Sequence, residues 1–286
     1  MTVLVAGATG VTGSAVLAHL VAAGVETRAM SRSADNAEQL RRSGADVVVA
    51  PFDDADALRS AFSGVTAAYL ATPSSPDMAA TESAFARVAA DAHAHLVKLS
   101  VIGAAVDSPL RFARHHAESE QAIEAIGGTW TFLQPNGFMQ NNLDWATQIP
   151  SGTIAGPVMD AAWSIVDVAD IAAVAVAALT SPDAYASRRI VITGPQARTP
   201  RDLVGVLAKE IGRELDVIDV PIVGAKDQLR SFGVPEWYVE GLGELFELYA
   251  TGAASAVSPD AEAVLQHGLR TWEDFVTNHR EHFDPR

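Results

Sequence analysis

The chain contains no cysteine among its 286 residues. Disulfides, thiolate zinc sites, iron–sulfur clusters and cysteine nucleophiles are therefore excluded. Positive charge is also scarce: 20 Lys+Arg stand against 35 Asp+Glu, a formal net charge of −15. Such a surface repels nucleic acid and anionic membranes, so neither is an expected partner. An anionic ligand then needs a local positive site. Long apolar runs are missing too. The longest, near residues 171–179, falls far short of the roughly 20 residues a membrane helix requires. No basic segment followed by an apolar one opens the chain, and a cytoplasmic protein is the expectation. Internal repeats and low-complexity tails are absent. The histidines make no metal pattern: His93 and His95 lie two apart, and His115 and His116 are adjacent, so their side chains diverge on a helix.

What is present is an alternation of short apolar strands and helices. Strand-like runs fall at residues 2–6, 25–31, 46–52, 65–71, 96–101 and 130–134. Helical stretches fall between them at 14–23, 34–43, 54–62, 77–93 and 110–126, several closed by glycine. Strands that are apolar throughout are buried on both faces, as in a parallel sheet covered by helices. Right-handed crossovers then give an α/β, Rossmann-type doubly wound parallel sheet. After Pro135 the rhythm breaks. Residues 136–157 read as irregular. Residues 164–179 read as a short strand leading into a buried helix, with Asp167 or Asp170 near its start. Residues 188–194 read as a strand, and helices dominate from Thr199 on, at 200–211, 225–233 and 235–251, with a short strand at 216–221. The expected organisation is a nucleotide-binding domain of residues 1–135 plus about 158–195. A smaller, mainly helical C-terminal lobe of about 136–157 plus 196–286 would cover the carboxyl edge of the sheet.

Three glycines follow the first strand at a spacing of three: Gly7, Gly10 and Gly13. Gly7 lets the chain turn out of the strand, Gly10 lets a pyrophosphate approach the backbone, and Gly13 lets the next helix pack closely. The helix start offers free N–H groups and a positive dipole end, which is how an acidic protein binds an anion. No Gly-Lys-Ser/Thr follows, so this is not a P-loop. The second strand ends in Met30, Ser31, Arg32 and Ser33 rather than an acidic residue. A guanidinium there suits the 2′-phosphate of NADP, so NADP(H) is favoured over NAD(H); the other reading of Arg32 is a plain surface arginine. Asp53 is placed for the adenine edge with Phe52 near the ring face, or for capping the next helix, or both.

The segments "VAGATGVTG" (5–13), "VKLSVIGA" (97–104), "HHAESEQAIEAIGGTWTFLQPNGFMQNNL" (115–143) and "VDVADIAAVAVAAL" (166–179) resemble the NmrA-like group of atypical short-chain dehydrogenases/reductases. Residues 192–221 and 232–249 extend the resemblance along most of the chain. The group includes NADPH-dependent quinone and triphenylmethane-dye reductases, and redox-sensing regulators that bind the dinucleotide without turnover. The resemblance implies cofactor contacts at Gly7, Thr9, Gly10, Val11, Thr12, Arg32, Asp53, Ala71, Thr72, Pro73 and Ser100, beside Gly13 and Phe52 from the reading above. It extends them to the turn of Pro135, Asn136, Gly137 and Phe138. Pro51 departs from the pattern, since relatives often carry an aspartate there.

Typical members of the superfamily use Tyr-x-x-x-Lys, in which the lysine lowers the pKa of a tyrosine that moves the proton. Here the residues four after Tyr69, Tyr185, Tyr238 and Tyr249 are Pro73, Arg189, Leu242 and Ala253. The usual acid is absent, which disfavours epimerase and ordinary alcohol-dehydrogenase chemistry. His116 and Glu120 are four apart on the helix that would carry it, so they share a face. His116 is the candidate proton donor or pocket wall, with a structural His–Glu pair as the plainer reading. Ser100 is a candidate hydrogen-bonding group. Phe138, Trp145 and Trp237 are candidate walls of a substrate pocket.

A strongly electrophilic acceptor needs no acid from the protein, because water supplies the later proton. The leading expectation is therefore an NAD(P)H-dependent oxidoreductase acting on a quinone-like or other conjugated small molecule. The alternative is a redox sensor of the NmrA type with no catalysis. A small-molecule hydride acceptor is the expected partner, and a homodimer stays open.

Overall fold

The central apolar runs pair as parallel strands buried on both faces, while the edge strand Asp46–Val49 is only partly covered. The computed structural model describes residues 1–284; the last two residues of the expected C-terminal lobe lie outside them. Among the described residues nine strands are formed: β1 Thr2–Ala6, β2 Glu26–Ser31, β3 Asp46–Val49, β4 Val65–Leu70, β5 His95–Leu99, β6 Trp130–Pro135, β7 Thr153–Gly156, β8 Arg188–Ile192 and β9 Asp216–Asp219. The helices are α1 Val11–Ala22, α2 Ala34–Leu40, α3 Ala55–Ala61, α4 Met78–Asp91, α5 Arg111–Ile126, α6 Val168–Thr180, α7 Pro182–Tyr185, α8 Pro200–Ile211, α9 Ile222–Ser231, α10 Glu236–Ala250, α11 Asp260–Leu265, α12 Trp272–Asn278 and α13 Arg280–Phe283.

Seven strands make one sheet in the order β3-β2-β1-β4-β5-β6-β8, with every neighbouring pair parallel. The order reverses between β1 and β4, and ligands bind at the carboxyl edge of such a switch point. One face of the sheet is covered by α1 and α6, whose apolar residues join Val3, Val5, Tyr69 and Val97. The other is covered by α3, α4 and α5, around Leu4, Leu70, Phe85, Ile123 and Phe132. This is the Rossmann-type arrangement that the alternation implies. Ala261 of α11 and Leu269 also pack into the α1/α6 layer.

A separate hydrophobic cluster forms beyond the sheet, mainly from the expected C-terminal lobe but joined by Met159 and Ile165. Ile149, Ile154, Leu203, Val204, Leu207, Trp272 and Phe275 cluster there. Thr199 starts α8 with a reciprocal capping box to Asp202. Among the described residues no helix is long and apolar enough to cross a membrane.

Several boundaries differ from the sequence reading. α1 starts at Val11 rather than at residue 14, so Gly13 lies inside the helix. The expected strand around 164–166 is reduced to one bridge between Phe138 and Val166, because Asp167 caps α6 immediately after it. Within 136–157 the chain is not wholly irregular: residues 139–147 form a 3-10 helix, and β7 pairs with β9. β7 is only four residues long and ends in Gly156, too short for a visible alternation. α11 and α12 escape notice for the same reason.

Candidate functional site

The chain leaves β1 at Gly7 with φ of 78°, a conformation that favours glycine. A Cβ on Gly7 would stand 2.3 Å from the Ala71 carbonyl oxygen, and one on Gly13 2.1 Å from the Gly7 carbonyl oxygen. The two glycines therefore let β1, the loop after β4 and α1 close on one another. Gly10 caps α1 with no side chain, and a Cβ there meets only the Gly7 oxygen at 3.3 Å. Gly10 N–H donates to the Gly7 carbonyl and Ser14 N–H to the Gly10 carbonyl. The N–H groups of the first helical turn that precede Ser14 are thus open for an anion. Thr9, Gly10 and Val11 are exposed around this opening, while Thr12 is buried beneath it. The geometry fits a dinucleotide pyrophosphate.

Beyond the end of β2, Arg32 lines a depression of about 470 Å³ with Pro51, Phe52, Asp53, Ala80, Thr81 and Ala84. Arg32 is exposed, and among the described residues no carboxylate pairs with it. The Phe52 ring leans on Phe85 at 5.9 Å. The capping alternative for Asp53 falls: Asp54 caps α3, accepting from the N–H groups of Asp56 and Ala57 at 3.1 and 2.9 Å. Asp53 is left to face the depression. A larger hollow of about 620 Å³ lies at the opposite, amino edge of the sheet, between the ends of α4 and α5. It is remote from the switch point, so volume does not choose the site.

The centre of the carboxyl edge holds a buried polar network that the sequence reading missed. Lys98 of β5 and Glu82 of α4 are both fully buried, with Nζ 3.2 Å from Oε2. Lys98 Nζ also donates to the Leu99 carbonyl at 3.1 Å and meets His116 Nδ1 at 3.0 Å. Glu82 in turn accepts from Thr72 Oγ1 at 2.7 Å and from Ser119 Oγ. Burial, then the Lys98 charge, then His115 hold the His116 pKa well below its usual value. His116 meets Lys98 and Glu120 takes other partners, so the plainer reading of a His116–Glu120 pair does not hold; the lowered pKa favours a neutral ring.

Glu120 belongs to a second network. It accepts from Ser100 Oγ at 2.5 Å, Gln134 Nε2 at 3.0 Å and Arg189 Nε at 2.9 Å. Ser100 thus directs its hydroxyl proton to Glu120 and keeps its lone pairs for any ligand. The two networks together pin α5 to β5, β6 and β8.

The turn after β6 is tied to the smaller lobe. Asn136 Nδ2 donates to Ser164 Oγ at 3.0 Å and the Ala254 carbonyl at 2.9 Å, while its Oδ1 accepts from Gly137 N–H. The Asn136 amide is consumed internally, so its side chain serves the turn's shape. A residue with no sequence motif reaches this turn: Tyr249 of α10 stacks on Trp163 at 4.6 Å. Its hydroxyl stands 3.0 Å from where a Gly137 Cβ would sit. Burial pushes the Tyr249 pKa up to about 12, so it stays protonated at neutral pH.

The three aromatic pocket candidates are not brought into one wall. Phe138 packs on the α1/α6 core. Trp237 leans edge-on against Phe112 at 5.5 Å and His115 at 5.4 Å, near Val101. Trp145 lies in the smaller lobe's own core, edge-on to Trp272 at 5.9 Å. α10 is fastened over the start of α5 by Arg111, which donates to Glu244 through its backbone N–H, Nε and Nη2 and to the Trp237 carbonyl through Nη1. Gly241 makes that approach possible, since a Cβ there would enter the Phe112 ring at 2.4 Å. Among the described residues no group of His, Asp or Glu could hold a metal ion.

The NmrA-like family matches residues 1–276. An NAD(P)H azoreductase of Xenophilus azovorans is 32% identical over 283 residues, covering 98% of this chain and 99% of the relative. A (4-alkanoyl-5-oxo-2,5-dihydrofuran-3-yl)methyl phosphate reductase of Streptomyces griseus is 35% identical over 289 residues, covering 99% of each. The triphenylmethane reductase of Citrobacter sp., solved with NADP(H), shares the fold with a TM-score of 0.85 at 22% identity, covering 97% of this chain and 99% of that one.

Proposed function

The chain belongs to the NmrA-like family and is an NAD(P)H-dependent oxidoreductase; we propose that it prefers NADPH and reduces a quinone-like or other conjugated, electrophilic small molecule. The observation that carries this reading is the uncapped start of α1 at the switch point, closed by Gly7 and Gly13. The backbone around Thr9, Gly10, Val11 and Thr12 would hold the pyrophosphate. Arg32 would take the 2′-phosphate through charge-assisted bonds, with Phe52 and Asp53 on the adenine. The loop of Ala71, Thr72 and Pro73, Ser100, and the turn of residues 135–138 would border the nicotinamide.

When bound, the nicotinamide supplies a hydride. The protein supplies orientation and a site partly shielded from water. No Tyr-x-x-x-Lys pair is present, and His116 is held neutral. Neither group therefore hands a proton to the acceptor, which takes it from water. Acceptors that need protonation before reduction, such as simple ketones, are disfavoured. Conjugated acceptors that take hydride readily are favoured, in line with the azo and unsaturated-lactone substrates named for the two relatives.

The test follows NADPH absorbance at 340 nm with purified protein and a panel of benzoquinones, naphthoquinones, azo dyes and unsaturated lactones, with simple ketones as controls. Oxidation with the conjugated members only is expected. No turnover with any acceptor, despite NADPH binding, would replace this reading with the sensor one.

A further inference from the structure

A lysine ammonium has three N–H donors and no acceptor. At Lys98 all three have partners: Glu82 Oε2 at 3.2 Å, the Leu99 carbonyl at 3.1 Å and His116 Nδ1 at 3.0 Å. Because lysine can only donate, His116 Nδ1 must carry the lone pair. The ring proton is then on Nε2, which has no partner among the described residues. An imidazolium would set an N–H against an N–H, so the contact also excludes the doubly protonated ring.

The position of the contact gives it a use. Lys98 is the penultimate residue of β5, at the carboxyl edge where ligands bind. Glu82 links it to Thr72 at 2.7 Å, and Thr72 directly follows Ala71, the residue that packs on Gly7. His116 lies one turn beyond Phe112, the residue that α10 and Trp237 close over. One continuous chain of hydrogen bonds thus runs from the loop beside the glycine turn to a histidine under the roof.

We propose that Lys98 is a positioning residue: anchored by Glu82, it locks His116 as the neutral Nε2–H tautomer, so that the ring offers the hydride acceptor a hydrogen bond and keeps its proton. The donor role rests on the reductase reading above; the tautomer lock does not. Negative charge that develops on an acceptor oxygen or nitrogen as hydride arrives is stabilised by the Nε2–H. The acceptor's proton comes from solvent, so no proton is lost from the ring and none has to be returned. A fixed neutral donor of this kind is effective because the ring does not reorganise as charge appears.

The test has two readouts on the full chain. Long-range proton–nitrogen correlation spectra of protein labelled with ¹⁵N-histidine, with His116 assigned by its loss in His116→Gln, report the tautomer directly and need neither cofactor nor acceptor. The wild-type ring is expected as Nε2–H with an unprotonated Nδ1. Lys98→Met is the direct variant. Lys98→Met/Glu82→Gln removes the buried charges together and guards against a mere folding failure. In either, the ring is expected to lose its single tautomer. With NADPH and a quinone, the double variant is expected to lose about 10- to 100-fold in kcat, while the Kd for NADPH, read by calorimetry, moves less than about twofold. A merely structural Lys98 would lower stability without moving the tautomer. A wild-type ring found as Nδ1–H or as imidazolium overturns the proposal. So does a lost tautomer with kcat unchanged. If no acceptor is turned over, the reductase reading and the donor role fall together, and the nitrogen spectrum alone decides the lock.

Discussion

The two ends of the candidate cleft are built from different material. The dinucleotide end, around β1 and α1, is made of backbone: glycines that exclude Cβ atoms and N–H groups left open at a helix start. The reducing end, around β5 and α5, is made of side chains from four elements: Thr72 after β4, Glu82 and Lys98 beneath, His116 and Ser119 on α5. In the proposed reading the first end binds the dinucleotide and the second borders the acceptor.

The contrast is broken most forcefully at Lys98. Lys98→Met leaves Glu82 as an unpaired charge in a fully buried position, and loss of one partner of a buried pair costs about 3–5 kcal/mol. Chemical denaturation should show that loss, and Glu82→Gln added to it should restore most of it. Additive losses in the double variant would mean the two residues do not act as a unit.

Acid sharpens the comparison next. His95 of β5 is buried; its Nε2 contacts Thr131 Oγ1 at 3.0 Å, and its Nδ1 has no partner among the described residues. Burial, partly opposed by Asp183, pushes its pKa down to about 4, against an ordinary 6.5. The unfolded chain therefore binds a proton at higher pH than the folded one. Stability is complete above pH 6.5, falls as pH drops through that value, and has lost about 3 kcal/mol near pH 4. His116, depressed in the same direction, adds to the loss. Thermal melts between pH 7 and 4 check this, and His95→Leu should flatten the curve. An unchanged slope in that variant would place the acid sensitivity elsewhere.

The glycine end gives a smaller, more divided response. Gly13→Ala drives a Cβ into the Gly7 oxygen and should cost about 1–3 kcal/mol of stability, as overpacking does, with NADPH binding lost as well. At Gly10 a Cβ would make one tight contact, 3.3 Å from the Gly7 oxygen, so Gly10→Ala should lower the melting temperature less than Gly13→Ala does. Its affinity for NADPH should still fall by about tenfold or more, because the methyl group occupies the approach of the pyrophosphate. Equal melting losses at the two glycines would contradict the division between a packing glycine and a binding one.

The same contrast explains what sequence alone could reveal. The strand–helix alternation and the glycine turn are encoded in short windows, where residue type dictates backbone shape. Family membership rides on those windows. The lysine in "VKLSV" is the one visible trace of the buried network: a cation in a strand otherwise fit only for the core. Its partners stand 16 residues before it, in Glu82, and 18 after it, in His116, and only the stacking of α4 and α5 on the sheet brings them together. The (i, i+4) spacing of His116 and Glu120 pointed to a pair that tertiary contacts divide between two networks. Tyr249 carries no motif and reaches its turn only because α10 folds back over the cleft.

The most direct test of the account is a calorimetric titration of wild-type protein and Arg32→Ala with NADPH and with NADH. The wild type should bind NADPH more tightly than NADH. The substitution should cost about tenfold or more in NADPH affinity, the scale of a hydrogen bond between charged groups, and leave NADH unchanged. Equal affinities that the substitution does not touch would contradict the assignment of Arg32 to the 2′-phosphate, and failure to bind either nucleotide would contradict the site itself.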